Sequence, residues 1–281
     1  MTVTPQACRI VTDSTSDISK PLAGEFGITV VPLTVQFGAQ SFRDGIDLTA
    51  DDFYQRLSST KELPQTSQPP PALFEHAYRH LITRGDVVSV HLSHKFSGTV
   101  ETARSVAAEV APERITVVDS GSVSMGLGMC VLAAARAAQS GASMQECAAA
   151  AQSVAERVHV AVAFETLEYL RRGGRIGRAS AFLGGLLRLK PVLTVKDGEA
   201  FPVTRARSRR KAIDEICDLI TKFDRVTDVA IAHTTTPEDA AMLAQRARTL
   251  APAATLHEVR FGPVLGTHGG PGMLGVAVVE G

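Results

Sequence analysis

Short apolar runs alternate with amphipathic stretches along most of the chain. RIVT, ITVVPLTVQF, VVSVHLS and ITVVDS, all within the first 120 residues, read as buried strands, while Thr99–Val110 and 126–138 repeat apolar residues at helical spacing. This alternation predicts an α/β fold built on a mainly parallel sheet. Within the same region, DLTADDFYQRLSST reads as a short amphipathic helix and KELPQTSQPPPALF as an ordered extended loop leading into the next helix. After an Ala-rich helix at 143–157, VHVAVAF opens a second α/β set. It continues through 167–172, RIGRASAFLGGLL, KPVLTVKDGEAFPV, a helix after Ser208, VTDVAIAHT, a helix over Pro237–Leu250 and a terminal strand. The predicted domains are therefore 1–157 and 158–281.

Composition narrows the function classes. With 281 residues, 44% hydrophobic and 21% charged, the chain has ample core for two domains. A formal net charge of +0 gives no global attraction to nucleic acid or to an anionic membrane, so any basic partner site must be local. No apolar run approaches the roughly 18 residues of a membrane span and MTVTPQACRIVTD lacks a signal pattern, so a cytoplasmic location is expected. Cys8, Cys130, Cys147 and Cys217 are scattered, without C-x-x-C spacing or nearby histidine ligands. They read as buried reduced thiols, and no metal is expected.

Three strands of the first domain end in hydroxyl-rich turns, residues 12–17, 93–99 and 119–126. In parallel sheets ligands bind beyond the carboxyl ends of strands, where helix N-termini direct free N–H groups at an anion. Ser, Thr and Asp are also the preferred helix caps. Of the three turns, HKFSGT stands out, because Ser97 and Gly98 combine a hydroxyl with a backbone that a ligand can approach closely. TSQPPP adds Thr66 and Ser67. GTHGGPGMLG, at 266–275, reads as a Gly-rich loop with five glycines around His268. Its formal G-x-G-x-x-G match is not expected to be a dinucleotide fingerprint, since VAVVEG after it reads as a strand rather than the helix of a βαβ unit.

Together these segments resemble the DegV family of bacterial fatty-acid-binding proteins. The residues carrying the resemblance are IVTDSTSDI (10–18), TSQP (66–69), SHKFSGT (93–99), VVDS (117–120), LEYLRRGGRIGRASAFLGGLLRLKPVLTVKDGE (167–199) and GPVLGTHGGPGMLG (262–275), nearly the whole chain. The resemblance implies two α/β domains clasping one long-chain fatty acid between them. By the motifs, its carboxylate would meet Thr66 or Ser67, Ser97, Gly98 and His268, with Arg175 near the head-group. The chain would be a non-catalytic carrier without a cofactor, whose bound acid is phosphorylated by a separate ATP-binding kinase subunit, giving acyl-phosphate for phospholipid synthesis. Transient contact with a membrane, without a span, is compatible with that role. One departure is His94 and Phe96, where the family pattern commonly has a second serine and a leucine.

The residues add their own support. Ala179, Phe182, Leu183, Leu186 and Leu187 recur at roughly helical spacing, and Gly184 and Gly185 leave room for an acyl tunnel, although ordinary core packing explains the leucines equally well. Burying a chain at about 0.8 kcal/mol per CH₂ supplies on the order of 10 kcal/mol gross. Arg205, Arg207, Arg209 and Arg210 crowd the start of the helix after Ser208, the unfavourable end for cations, and with Arg178 they form a candidate docking strip for an acidic partner. A solvated face relieved by Asp214 and Glu215 explains them equally well. The alternatives are a Ser97–His268 hydrolase, which lacks an exact G-x-S-x-G and an orienting acid, and a metal-dependent phosphotransferase using Asp13, Asp17, Asp44 and Asp47. His91 and His94 read as a strand-end pair without a third ligand.

Overall fold

The computed structural model describes residues 8–60, 62–183 and 189–281. The first elements are β1 (Cys8–Asp13), α1 (Lys20–Phe26), β2 (Thr29–Val31), β3 (Thr34–Phe37), β4 (Gln40–Arg43), α2 (Ala50–Ser59) and β5 (Gln65–Ser67). They are followed by α3 (Pro71–Leu81), β6 (Asp86–His91), α4 (Thr99–Val110), β7 (Ile115–Asp119), α5 (Met125–Gln139) and α6 (Met144–Arg157). The remainder comprises β8 (Val158–Ala163), α7 (Glu168–Arg172), β9 (Lys190–Lys196), β10 (Glu199–Ala206), α8 (Arg209–Cys217), β11 (Val226–His233), α9 (Pro237–Leu250), β12 (Thr255–Arg260), α10 (Pro263–Gly269) and β13 (Leu274–Glu280).

The chain divides into two compact units, Met1–Leu33 with Ser67–Glu156 and Thr34–Thr66 with Arg157–Gly281. In the first, β1, β2, β6 and β7 form an all-parallel sheet in the order β2-β1-β6-β7. Its strands are nearly continuous apolar runs because both faces are covered. Val11, Val31, Val87 and Ile115 pack with Phe74 and Tyr78 of α3 and with Ala103 and Val106 of α4. On the alternate positions Ile10, Val88 and Val90 are buried, and α5 packs against β1 and β6. The hydroxyl-rich turns therefore lie together at the carboxyl ends of β1, β6 and β7.

The second unit holds a six-stranded mixed sheet, β10-β9-β8-β13-β11-β12, in which β11 and β12 are parallel and the other pairs antiparallel. Its core joins Ile216, Ile220, Val229, Ile231, Leu243, Val276 and Val278. The terminal strand β13 is buried along nearly its whole length, between β8 and β11.

Three sequence expectations change here. Residues 34–66 belong with the second unit rather than the first, because α2 packs on α10 and the Tyr54 hydroxyl donates to the Phe261 carbonyl at 3.0 Å. Correspondingly, ITVVPLTVQF is two strands and not one: Pro32, which has no N–H for a ladder, separates β2 of the parallel sheet from β3 of a small sheet ordered β4-β3-β5. The Gly-rich segment around His268 is also not a loop. Pro263 starts α10, the Thr267 hydroxyl donates back to the Pro263 carbonyl, and Gly270, at φ +76°, ends the helix.

Candidate functional site

In the second unit His268 occupies the last turn of α10. Its Nε2 lies 2.8 Å from Thr66 Oγ1. Three glycines allow this placement. A Cβ on Gly266 would stand 2.6 Å from Phe53 and from the Tyr54 hydroxyl, one on Gly269 2.3 Å from the Met273 sulfur, and one on Gly173 2.2 Å from His268 Nδ1. Nδ1 is buried and has no hydrogen-bond partner among the described residues. Desolvation, reinforced by the positive charge of Arg175, pushes the His268 pKa down to about 4. The imidazole is therefore neutral at physiological pH, and Arg175, whose Nη1 donates to the Gly173 carbonyl, supplies the local positive charge. A hydroxyl, a neutral imidazole and one guanidinium are groups whose chemistry suits an anion.

The same unit fixes the segment after α10. Arg209 donates to the Gly272 carbonyl at 2.6 Å and to Asp239 at 2.9 Å, and lies 3.6 Å from Glu165. The Gly272 and Met273 amides donate to the Thr235 and Thr234 hydroxyls. Arg209 is thus turned inward and taken up by its own unit, contrary to a docking role. Arg205 lies over the Phe182 ring at 4.5 Å and donates to the Ala181 carbonyl, and Arg178 pairs with Glu199 at 3.0 Å. Of the expected strip, Arg178, Arg207 and Arg210 are exposed.

The expected acyl wall is only partly described. Residues 177–182 form a short 3-10 turn, in which Ala179 is fully buried and Phe182 half-buried. Leu183 is 44% exposed, which argues against a lining role in this conformation. Gly185 and Leu186, with Gly184 and Leu187, lie outside the described residues.

In the first unit, Ser97 and Gly98 lead into α4. Ser97 Oγ is 2.9 Å from Thr99 Oγ1 and accepts from the Thr99 amide, so the hydroxyl does serve as a local cap. A Cβ on Gly98 would stand 2.4 Å from Gln68 Oε1, the far end of an exposed side chain that can swing aside, so packing does not demand glycine here. Gln68 itself donates to Thr102. Ser67 is exposed.

The sequence offered Asp13 as a carboxylate of a metal-dependent phosphotransferase and His91 as one of a strand-end pair; the structure gives both to the scaffold of this turn. Asp13 Oδ2 accepts from His91 Nδ1 at 2.9 Å and from the Leu92 amide at 3.1 Å, while Oδ1 accepts from the Thr15 amide and hydroxyl. His91 Nε2 continues to Ser89 at 2.7 Å, and Ser89 accepts from Tyr78. This Ser–His–Asp chain is entirely buried, out of reach of any substrate. Its sequence signal was an acidic residue at the end of one strand and a histidine at the end of the neighbouring one.

The residues considered for metal chemistry are similarly occupied: Asp17 accepts from Ser124, Asp47 pairs with Arg43, and His94 pairs with Asp119. Among the described residues no group of three or more His, Cys, Asp or Glu is arranged to hold a metal. Cys8, Cys130, Cys147 and Cys217 are free and buried, and burial pushes the thiols of Cys8 and Cys130 up to about 12.

Comparison with known proteins gives this geometry a context. The DegV family, described as uncharacterised protein, matches residues 7–281. A DegV domain-containing protein from Streptomyces coelicolor is 40% identical over 276 residues, covering 96% of this chain and 97% of that protein. One from Deinococcus radiodurans is 38% identical over 278 residues, covering 96% of this chain and 97% of its own. Among solved structures, a DegV family protein from Thermus thermophilus described as fatty acid binding aligns with TM-score 0.90 at 36% identity, over 98% of this chain and 99% of its own. DegV from Bacillus subtilis, described as a fatty acid binding protein, aligns with TM-score 0.89 at 31% identity, over 98% and 100%. With a family match along nearly its full length, relatives of this identity and the same α/β fold, this chain belongs to the DegV family.

Proposed function

We propose that this protein binds a long-chain fatty acid and presents its carboxylate to a separate, ATP-binding kinase subunit, which forms the acyl-phosphate that feeds phospholipid synthesis. The observation that carries the binding step is the Thr66–His268 pair beside Arg175, a hydroxyl, a desolvated imidazole and a guanidinium suited to a carboxylate. The fatty-acid binding described for the Thermus thermophilus and Bacillus subtilis proteins supports the choice of ligand. Ser97 and Gly98 are the further head-group residues in this reading, with Ser67 adjoining Thr66. Ala179 and Phe182 belong to the segment that takes the tail, together with Gly185 and Leu186. The protein acts as a carrier without a catalytic residue or cofactor, in the cytoplasm; among the described residues no helix is long and apolar enough to cross a membrane. Docking of the kinase falls to the exposed Arg207 and Arg210, with Arg178 as a further exposed cation.

Native mass spectrometry of the purified protein is expected to show a co-purified mass matching a fatty acid. His268→Ala and Arg175→Ala are each expected to weaken fatty-acid binding at least severalfold, the scale of one charge-assisted hydrogen bond of about 1.5–3 kcal/mol. Acyl-phosphate is expected only when ATP and the kinase subunit are both added. A protein that binds no fatty acid, or that consumes the lipid unaided, would overturn the proposal.

A further inference from the structure

The three turns at the carboxyl ends of β1, β6 and β7 are joined pairwise, each pair through one aspartate. Asp13, at the end of β1, accepts from His91 and from the Leu92 amide at the end of β6. Asp119, at the end of β7, accepts from His94 Nδ1 at 2.7 Å and from the His94 amide at 3.3 Å, in the turn after β6, while its other oxygen accepts from the Gly121 amide. Asp17, in the turn after β1, accepts from the Ser124 hydroxyl at 2.6 Å, in the turn after β7. Asp17 and Ser124 have φ of +53° and +54°, a left-handed backbone that non-glycine residues adopt only where their surroundings enforce it. The three bridges close a ring.

The turn that bears Ser97 sits inside this ring and is fixed at two points, Leu92 by Asp13 and His94 by Asp119. Between them Ser93 accepts from the Lys95 amide through its hydroxyl and from the Phe96 and Ser97 amides through its carbonyl. We propose that the aspartate ring preorganises this turn, with His94 and Asp119 as positioning residues that set affinity for a carboxylate head-group. The proposal rests on the fatty-acid reading above, in which Ser97 meets the carboxylate. A turn already ordered in the free protein loses less conformational freedom on binding, so the benefit appears as affinity for the ligand that uses the turn. Of the three bridges, Asp13 is buried with its partners, whereas His94 is half-exposed on the surface, so only the His94–Asp119 link can be cut without opening the core.

The test compares oleate with oleyl alcohol, which has the same tail and no charge. His94→Ala and Asp119→Asn are each expected to weaken oleate binding about two- to fivefold, the scale of one partly exposed hydrogen bond. The double variant should be no weaker than the weaker single variant, because both cut one link. His94→Asn should restore wild-type binding, since its amide N–H can occupy the place of Nδ1–H. Oleyl alcohol affinity should be the same for every variant. A parallel loss for the alcohol, failure of His94→Asn to rescue, or wild-type oleate binding by His94→Ala would overturn the positioning role. Ser97→Ala separates the two levels: if it weakens oleate binding while His94→Ala does not, the ring fails and the head-group reading stands. If Ser97→Ala leaves oleate binding unchanged, both fail.

Discussion

The Ser97 turn and the His268 helix achieve fixed geometry by opposite means. Around Ser97 the backbone is held by acceptors: Asp13, Asp119 and Asp17 take up amides and side-chain donors from neighbouring turns. Around His268 the backbone is held by what is missing, the side chains at Gly173, Gly266 and Gly269, which lets α10 close on Tyr54, Phe53 and Met273. A polar clamp fails when an acceptor is removed. A steric one fails when a methyl is added. The same need for a precisely placed donor is thus met by hydrogen bonding in one unit and by close packing in the other, and the two leave different marks in the sequence.

The contrast is broken most strongly at Asp13. Asp13→Ala leaves His91, Leu92 and Thr15 donors buried without an acceptor, at about 1–3 kcal/mol per group, so unfolding in urea should show a loss of about 3 kcal/mol or more. A loss below about 1 kcal/mol would mean that this carboxylate does not hold the turns. Next comes Gly266→Ala, where overpacking against Phe53 and Tyr54 should cost about 1–3 kcal/mol and lower the melting temperature, although alanine is otherwise the better helix former. An unchanged or raised melting temperature would show that α2 and α10 yield easily.

The finest distinction is the titration of His268. Its folded-state pKa is depressed to about 4 from 6.5, so the unfolded chain takes up the proton first. Stability should accordingly fall as pH drops from about 6.5 to 4, and His268→Gln should flatten that part of the curve. In Gly173→Ala the displaced ring gains water, and its pKa, followed by NMR, should rise toward the ordinary value. A His268 that titrates near 6.5 in the wild type would remove the desolvation on which the steric account rests.

What was legible in the sequence follows the same division. The parallel sheet and its turns could be read because continuous apolar runs and strand-end hydroxyls are local signals. The placement of residues 34–66 could not, because it depends on contacts such as Tyr54 with Phe261, 207 residues apart; only Pro32 marked the break. Glycines around His268 suggested a loop because conformational freedom and close packing call for the same residue. Arg209 looked like surface charge because its partners Asp239, Glu165 and Gly272 are remote in the chain. Of the candidate site, the residue types at Thr66, Ser97, Arg175 and His268 were visible, while the network behind Ser97 was not, since Asp13 and His91 are each unremarkable until β1 and β6 pair.

The chain passes from one unit to the other three times, after residues 33, 66 and 156. For a nascent polypeptide this sets an order of events. Phe53 and Tyr54 leave the ribosome long before α10, against which they finally pack. At about 5–20 residues per second the wait for Phe261 is roughly 10–40 s. Over that interval the aromatic face of α2 has Phe37 against it but lacks its cover from α10, which makes residues 34–66 a natural stretch for a chaperone to hold during synthesis. A ribosome that stalls anywhere between the two segments would leave that face permanently uncovered.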